Sequence, residues 1–553
     1  MQNSVIASTH AYKYKKFFTD QIQSITIADI TNDNVRGIRK RLLEDTGNCP
    51  VGVTLGSYRT KNGVCFCQTE KLYHTLVSAG TGAGKTQTFC LNNIANASGA
   101  NSFIINDPKG EITSNTYNYL CNIYGKDKVT ILNFSNPTSS QARFNPFYEM
   151  AVRYKASQNL PSEKKKIERE EICALAQDYI SNVFPIRDKD HDPSWDEGAR
   201  QFLSSILIGM LEDTIKENIP VDGNGIPKTA RKELAPEDVN FKTMTSILSL
   251  IDFDADSDGW GDGCFFSSRE NDSIAKKHAR TVLGAASSGT RSSYLSLVNS
   301  YMKPYFDFKT LSITEGDSFD FLSMATNPRV LYIVYDNTSQ TQKKLVHDCL
   351  TSAISDFTHL YQKTGEPLKT PVVIMCEELT SLGNCSIIPE TIAIARGMNV
   401  FLYLIIQSLS QLKDLYKEQA NTIIENCGAR IYLNTNDMDT AKAGSNDMGC
   451  VEQLDINALM AGKIHLKEEA ILKPETLLYD TKLGECYIKV NNLMPIHSSY
   501  LLFFETKEFN RFGKVDINNL QTEESEEEDM EELFALLADL ADGNFTIFKK
   551  AED

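Results

Sequence analysis

The chain has 553 residues, 41% of them hydrophobic and 23% charged, an ordinary composition for a globular protein with room for about three or four domains. Its formal net charge of −17 argues at first sight against a nucleic-acid partner, but eight carboxylates sit in one run, EESEEEDMEE at Glu523–Glu532. A net charge does not exclude a basic lining inside a pore, so the motifs must decide that question. Thirteen cysteines carry no C-x-x-C pair, only Cys65 and Cys67 stand close together, and no secretory signal opens the chain. Reduced thiols in a cytosolic protein, without a zinc site, are therefore expected. The longest apolar run, Val400–Ile406, is far below the ~20 residues that span a bilayer, so the chain as given is expected not to cross a membrane.

Residues 1 to 50 are weakly patterned and hold a basic segment, RGIRKRL at Arg36–Leu42. A strand–helix alternation follows over 51–150: HTLVS, then SFIIND at Ser102–Asp107, then KVTILNF at Lys128–Phe134, closing at RFNPFYEM, where Pro146 breaks regular structure. Between the first strand and the helix after it stands AGTGAGKT, comprising Ala79, Gly80, Thr81, Gly82, Ala83, Gly84, Lys85 and Thr86. Strand, glycine-rich loop and helix in that order form a phosphate cradle. Backbone N–H groups point at phosphate oxygens, and the helix N-terminus adds positive potential. Lys85 is placed to reach the β/γ-phosphates and Thr86 to set its hydroxyl on Mg²⁺. Ala79 replaces the first glycine of the usual pattern, which is sterically acceptable if its φ is negative.

From 151 to 312 strand signals vanish and helical patterns dominate, predicting an all-α insertion. Inside it DADSDG, Asp254–Gly259, matches the start of a calcium loop, but Phe265 stands where the bidentate Glu is needed, so no calcium is expected. Strands return over 313–515 as near-continuous apolar runs: RVLYIVYD, PVVIMCEE, NVFLYLIIQ and ARIYLNTND. Such runs mark strands covered on both faces, so the insertion splits a mostly parallel α/β sheet. VVIMCEEL delivers Glu377, to hold Mg²⁺ through its water shell, and Glu378, to orient the attacking water. Gln407 ends the next apolar strand, where a polar side chain contacts the γ-phosphate and reports its loss. Arg396, just before that strand, is either a solvated surface residue or an arginine finger reaching a neighbouring subunit's nucleotide.

These residues, with INDPKGEI at Ile105–Ile112, RFNPF at Arg143–Phe147, SWDEGARQFL at Ser194–Leu203, CEELTSLGN at Cys376–Asn384 and QSLSQLKDLY at Gln407–Tyr416 continuing to Ala441, occur in order along the chain. The set resembles the coupling ATPases of conjugative type IV secretion (TraG/TraD-like proteins), relatives of the hexameric RecA-like DNA pumps, over about residues 51 to 510. The resemblance implies a RecA-like P-loop NTPase core interrupted by an all-α domain that faces the cytoplasm and takes part in substrate recognition. It implies ATP and Mg²⁺ at Lys85 and Thr86, Glu377 and Glu378 as the acidic pair, Gln407 as phosphate sensor and Arg396 as finger. Asp107 and Lys109 fall on the family's second-strand motif, near the nucleotide edge. Two departures stand out. The family usually has Asp where Glu377 stands, and most members begin with transmembrane helices.

The leading expectation is a motor: a homo-hexameric ring hydrolyses ATP to drive DNA, with its bound relaxase, toward a secretion channel and its ATPases. A membrane partner would recruit it to the cytoplasmic face. A septal or repair translocase lacks support, because an acidic tail over 516–553 follows the last strand. The alternative from another class is a docking adaptor that binds nucleotide without meaningful turnover. In the tail, Met530, Leu533, Phe534, Leu537 and Leu540 fall at helical spacing before Gly543, predicting a short amphipathic helix that hooks a partner.

Overall fold

The computed structural model describes residues 27–30, 33–43, 52–184, 193–219, 231–251, 265–284, 287–454 and 466–518. The acidic tail, with its amphipathic helix, and the DADSDG loop lie outside them. The chain forms two compact units, the first from residues up to Thr130 with Phe321–Ile333 and Ala353–Ile517, the second from Ile131–Asp320 and Val334–Ser352.

Fifteen strands are described: β1 (Ala28–Asp29), β2 (Ile38–Leu42), β3 (Thr54–Thr60), β4 (Gly63–Thr69), β5 (Thr75–Ser78), β6 (Ser102–Asp107), β7 (Val129–Asn133), β8 (Val330–Val334), β9 (Val372–Cys376), β10 (Val400–Ile406), β11 (Ala429–Tyr432), β12 (Cys450–Leu454), β13 (Leu466–Ala470), β14 (Glu485–Val490) and β15 (Ile496–Ser499). Ten of them make one sheet in the order β1-β15-β14-β11-β5-β10-β9-β6-β8-β7. The central strands β11, β5, β10, β9 and β6 run parallel, while β14 is antiparallel to both of its neighbours. Every residue of β5, β6, β9 and β10 is buried. Side chains are covered on both faces, which is why these strands appear in the sequence as unbroken apolar runs. Register then decides what meets at the strand ends. Ile406 and Tyr432 both pair with Ser78, and Leu404 and Asn106 both pair with Cys376. The carboxyl ends of five strands therefore open at nearly one level.

Composition alone does not reveal how the helix behind the phosphate loop is held. It begins as a π-helical turn, Thr86–Cys90, continuing as an α-helix over Leu91–Ala95. Phe89, Leu91 and Ile94 are buried as helical spacing requires, but so are Asn92, Asn93 and Asn96. Asn92 accepts from the Ser57 hydroxyl (2.6 Å) and donates to the Leu501 carbonyl (3.0 Å). Asn93 accepts the Thr54 N–H (2.9 Å), and Asn96 donates to Gln68 (2.8 Å) and Thr54 (3.0 Å). These amides fasten the helix to a second, three-stranded antiparallel sheet, β2-β4-β3. Arg41, from the basic segment, lies in β2 and is buried. Its guanidinium donates to the Asn96 carbonyl (2.7 Å) and side-chain oxygen (2.8 Å), placing a cation at the helix's C-terminal end.

The second unit is helical over most of its described length, with helices at Tyr148–Ala156, Ser162–Val183, Pro193–Glu212, Phe241–Leu250, Ile274–Leu283 and Ser288–Met302. Two of the motifs that carry the resemblance do packing work here. Asn145 donates to the carbonyls of Val239 (3.1 Å) and Gly316 (2.9 Å), and the Phe147 ring meets Tyr179 and Phe241 edge-on. Asp196 accepts from the Tyr301 hydroxyl (2.6 Å). Gly198 lies against the Tyr294 ring, where a Cβ would stand 2.5 Å from it. Arg200 donates to the Phe184 and Ser181 carbonyls, closing the end of the helix Ser162–Val183. No described helix is long and apolar enough to cross a membrane.

A buried ionic cluster ties two of these helices, Pro193–Glu212 and Ile274–Leu283, to the connecting residues Arg231 and Arg269. Arg269 reaches Asp213 (2.6 Å) and Glu212 (3.1 Å), and Arg231 reaches Asp213 (2.5 Å), all with side chains at most 7% exposed. Glu212 also accepts the N–H groups of Ile274 (2.7 Å) and Ala275 (3.3 Å), capping that helix. Removing Arg269 leaves Glu212 buried without a cation and Asp213 with Arg231 as its remaining ionic partner. Arg269→Ala should cost about 3–5 kcal/mol, read as a lower denaturation midpoint. Arg59→Ala, which breaks the exposed pair with Glu508, should leave the midpoint unchanged. Equal effects would show that the cluster is not what holds the helices.

Candidate nucleotide site

The phosphate loop is hung from the sheet by two backbone bonds. The Ala79 N–H donates to the Ile406 carbonyl at the end of β10 (3.1 Å), and the Gly80 N–H donates to the Asn434 carbonyl just past β11 (2.9 Å). Ala79 is fully buried, and the described non-glycine residues with positive φ are Asn399, Lys417 and Asn492, so alanine fits without strain. Gly82 (φ 79°) and Gly84 (φ 75°) need the left-handed region that glycine occupies freely. Ala83 closes the turn onto the Gly80 carbonyl (3.1 Å). Among the described residues the N–H groups of Thr81, Gly82 and Gly84 have no backbone acceptor, which leaves them for an anion.

Around this loop the register gathers polar side chains from three strand ends. The Thr86 hydroxyl donates to Glu377 Oε1 (2.5 Å). Lys85 forms an ion pair with Glu378. Gln407 donates from Nε2 to Glu378 Oε2 (3.2 Å), and the Thr81 hydroxyl donates to Gln407 Oε1 (3.4 Å), closing a chain of contacts that returns to the loop. Asp107, at the end of β6, is fully buried and accepts the Thr113 N–H and hydroxyl, both at 2.7 Å. Lys109 stands exposed on the turn that follows.

The electrostatics show a site with charge to spare. Burial, and secondarily the Glu377 carboxylate, pushes Asp107 up to about 7. Burial likewise raises Glu377, against the opposing pull of the Thr86 hydroxyl and the Lys85 ammonium. Burial lowers Lys85 below the usual lysine range, with Glu377 acting against it. Asp107 Oδ1 and Glu377 Oε2 are both buried without a hydrogen-bond partner. Two carboxylates with unused oxygens beside a threonine hydroxyl make an all-oxygen donor set. A hard divalent cation such as Mg²⁺ fits it, since the cation would satisfy the orphaned oxygens and favour both ionised forms.

Arg396 is not brought to this cluster. It follows the helix Ile387–Ala395 and is exposed at the amino end of β10. There its charge, after burial, helps lower His74, the residue preceding β5, to about 4. Gln407 marks the other end of that strand, so the separation along β10 is roughly 20 Å at ~3.3 Å per residue. Residues not singled out from the sequence also shape the site. Asn434 anchors the loop, and its place at a strand end, in YLNTND, was the available signal. Gln87 donates to Glu111 (2.8 Å), a carboxylate that itself adds to the raising of Glu377.

The fold is that of RecA-like P-loop NTPases. The conjugative coupling protein TrwB lacking its first 70 residues, in an unbound form, matches with a TM-score of 0.53 at 16% identity, covering 78% of this chain and 85% of that one. TrwB in complex with the non-hydrolysable GTP analogue GDPNP gives 0.53, and in complex with ADP and Mg²⁺ 0.52, each at 16% identity over 78% of this chain and 85% of that one. No curated protein sequence matches. The profile for type IV secretory system conjugative DNA transfer matches residues 22–452, most of the chain. This protein belongs to the conjugative DNA transfer family of type IV secretion.

Proposed function

We propose that the chain is the coupling ATPase of a conjugative type IV secretion system. As a homo-hexamer it hydrolyses ATP to move DNA, with its bound relaxase, toward the secretion channel. A membrane partner and the channel ATPases hold it at the cytoplasmic face. The observation that carries this reading is the convergence of Lys85, Thr86, Glu377, Glu378 and Gln407 on one glycine-rich loop. The fold of a coupling protein seen with ADP and Mg²⁺ supports it.

Each residue takes a role its position allows. The N–H groups of Thr81, Gly82 and Gly84 and the Lys85 ammonium bind the phosphate chain. Thr86 and Glu377, with Asp107 behind them, hold Mg²⁺, which when bound neutralises charge on the phosphate oxygens. Glu378 orients the attacking water once Lys85 leaves it for phosphate. Gln407, bonded to both Glu378 and Thr81, senses whether the terminal phosphate is present. Arg396 stands at the far end of its own sheet, so as an arginine finger it serves the nucleotide of a neighbouring subunit. The helical segment 151–312 recognises the transferred substrate, between the two parts of the nucleotide-binding domain, 51–150 and 313–515.

Lys85→Ala should reduce ATP turnover at least ~100-fold, comparable to losing one preorganised charge, with the melting profile retained. Near-normal turnover would remove the phosphate-loop reading. In Glu378→Gln, Lys85 is released from its ion pair, so ATP affinity should hold or rise while turnover falls by about 10²–10⁴. Weaker binding with normal turnover would deny Glu378 its role. A shared site makes a third demand. Mixing inactive Arg396→Ala and Lys85→Ala proteins should restore part of the activity, because some interfaces then pair an intact loop with an intact arginine. No recovery at any ratio, in assemblies shown to exchange subunits, would contradict it.

A further inference from the structure

The segment Thr476–Gly484 lies against the phosphate loop, and the phosphate chemistry does not use it. A Cβ built on Gly84 would stand 2.6 Å from Leu483 Cδ1, so this leucine methyl rests directly on the last glycine of the loop. Leu483 is nevertheless 52% exposed, and Tyr479, four residues earlier in the same segment, is 77% exposed. Neither sits on a loose strap. Thr435 donates its N–H to the Leu477 carbonyl (3.1 Å), and Asn434, whose own carbonyl anchors Gly80, donates to the Thr481 carbonyl (3.4 Å). The Thr481 N–H and hydroxyl both return to the Thr476 carbonyl (2.9 and 2.8 Å). The far end is pinned as well, where the Tyr500 N–H donates to the Gly484 carbonyl (2.8 Å). Leu477, between these ties, is fully buried in a cluster with Tyr432, Ala441, Met448 and Leu472.

We propose that this segment seats the nucleoside end of the bound nucleotide, with Leu483 as its floor and Tyr479 as a stacking face. The inference rests on the phosphate-loop reading above. A triphosphate held by the loop N–H groups and Lys85 must carry its ribose and base out over the adjoining surface. The flat, apolar part of the ligand then meets side chains carried on a backbone that is already fixed, so the segment itself needs no further ordering. Leu483 and Tyr479 touch the face of a base rather than its hydrogen-bonding edge, so the contact serves adenine and guanine alike. The chemical class of ligand is a purine nucleoside triphosphate, bound by its phosphates for anchorage and by the base face for affinity.

Calorimetric titration of the full chain with ATP, GTP and inorganic tripolyphosphate, each with Mg²⁺, tests this. Leu483→Ala and Tyr479→Ala should each weaken ATP and GTP by about tenfold, the scale of one partly buried apolar contact, and leave tripolyphosphate affinity unchanged. Leu483→Met should bind ATP as the wild type does. Unchanged tripolyphosphate binding also certifies that the loop is folded in each variant. Wild-type ATP affinity in both alanine variants would overturn the proposal. So would a parallel loss of ATP and tripolyphosphate, which would make the segment a mere support for the loop. If the wild type binds none of the three, the phosphate-loop reading falls and this inference falls with it.

Discussion

The site depends on two carbonyl groups. Ile406 and Asn434, at the ends of β10 and β11, accept the N–H groups of Ala79 and Gly80 and so fix where the phosphate loop leaves the sheet. Because β5 lies between those strands in parallel register, the loop starts level with both neighbours. The same register carries Gln407 to the loop, and the pairing of β9 with β10 carries Glu377 and Glu378 beside it. A shift of one residue in either pairing would turn every side chain of that strand to the opposite face and separate Thr86 from Glu377. The parallel arrangement is thus what makes five separate residues into one site.

The sequence showed the central sheet clearly and its surroundings poorly, for one physical reason. Strands buried on both faces must be apolar throughout, so β5, β6, β9 and β10 stood out as runs. β3 and β4 were not recognised, although the hydrogen-bonded turn around Asn62 and Gly63 between two strand-forming runs was a hairpin signal. The basic segment RGIRKRL stood in a weakly patterned region, yet Arg41 is buried against Asn96. Its charge made sense only once the helix end it serves had been placed. The asparagine ladder was equally hidden, because buried amides follow no periodicity that composition can report. At the site, residues at strand ends were legible, since a polar side chain closing an apolar run has few other uses there. The distance of Arg396 from the loop was not, because it follows from strand direction rather than from spacing.

Charge is handled in opposite ways in the two units. Around the phosphate loop Asp107 and Glu377 keep oxygens without partners, and burial drives both toward the neutral form. Such a site is costly on its own and becomes favourable when a cation and an anion enter it. In the helical unit Glu212 and Asp213 are instead matched by Arg231, Arg269 and a helix N-terminus, so nothing there calls for a ligand. Motifs such as RFNPF and SWDEGARQFL join this second group. Asn145, Asp196 and Arg200 spend their polar atoms on neighbouring backbone and tyrosine groups. In this chain these three side chains serve the packing of the helices.

The pair Lys85–Glu378, held in turn by Gln407 and Thr81, keeps the lysine and this carboxylate engaged with each other until phosphate competes for the lysine. That arrangement suits the proposed motor, in which Glu378 would be freed to orient water only when nucleotide is in place. It has no use in a docking adaptor that binds nucleotide without turning it over. Phosphate release by the full chain, followed as DNA is added at low salt with ATP and Mg²⁺, tests this claim most directly. The account predicts a low basal rate that rises with DNA and saturates. Tight ATP binding with no phosphate release at any DNA concentration would contradict it.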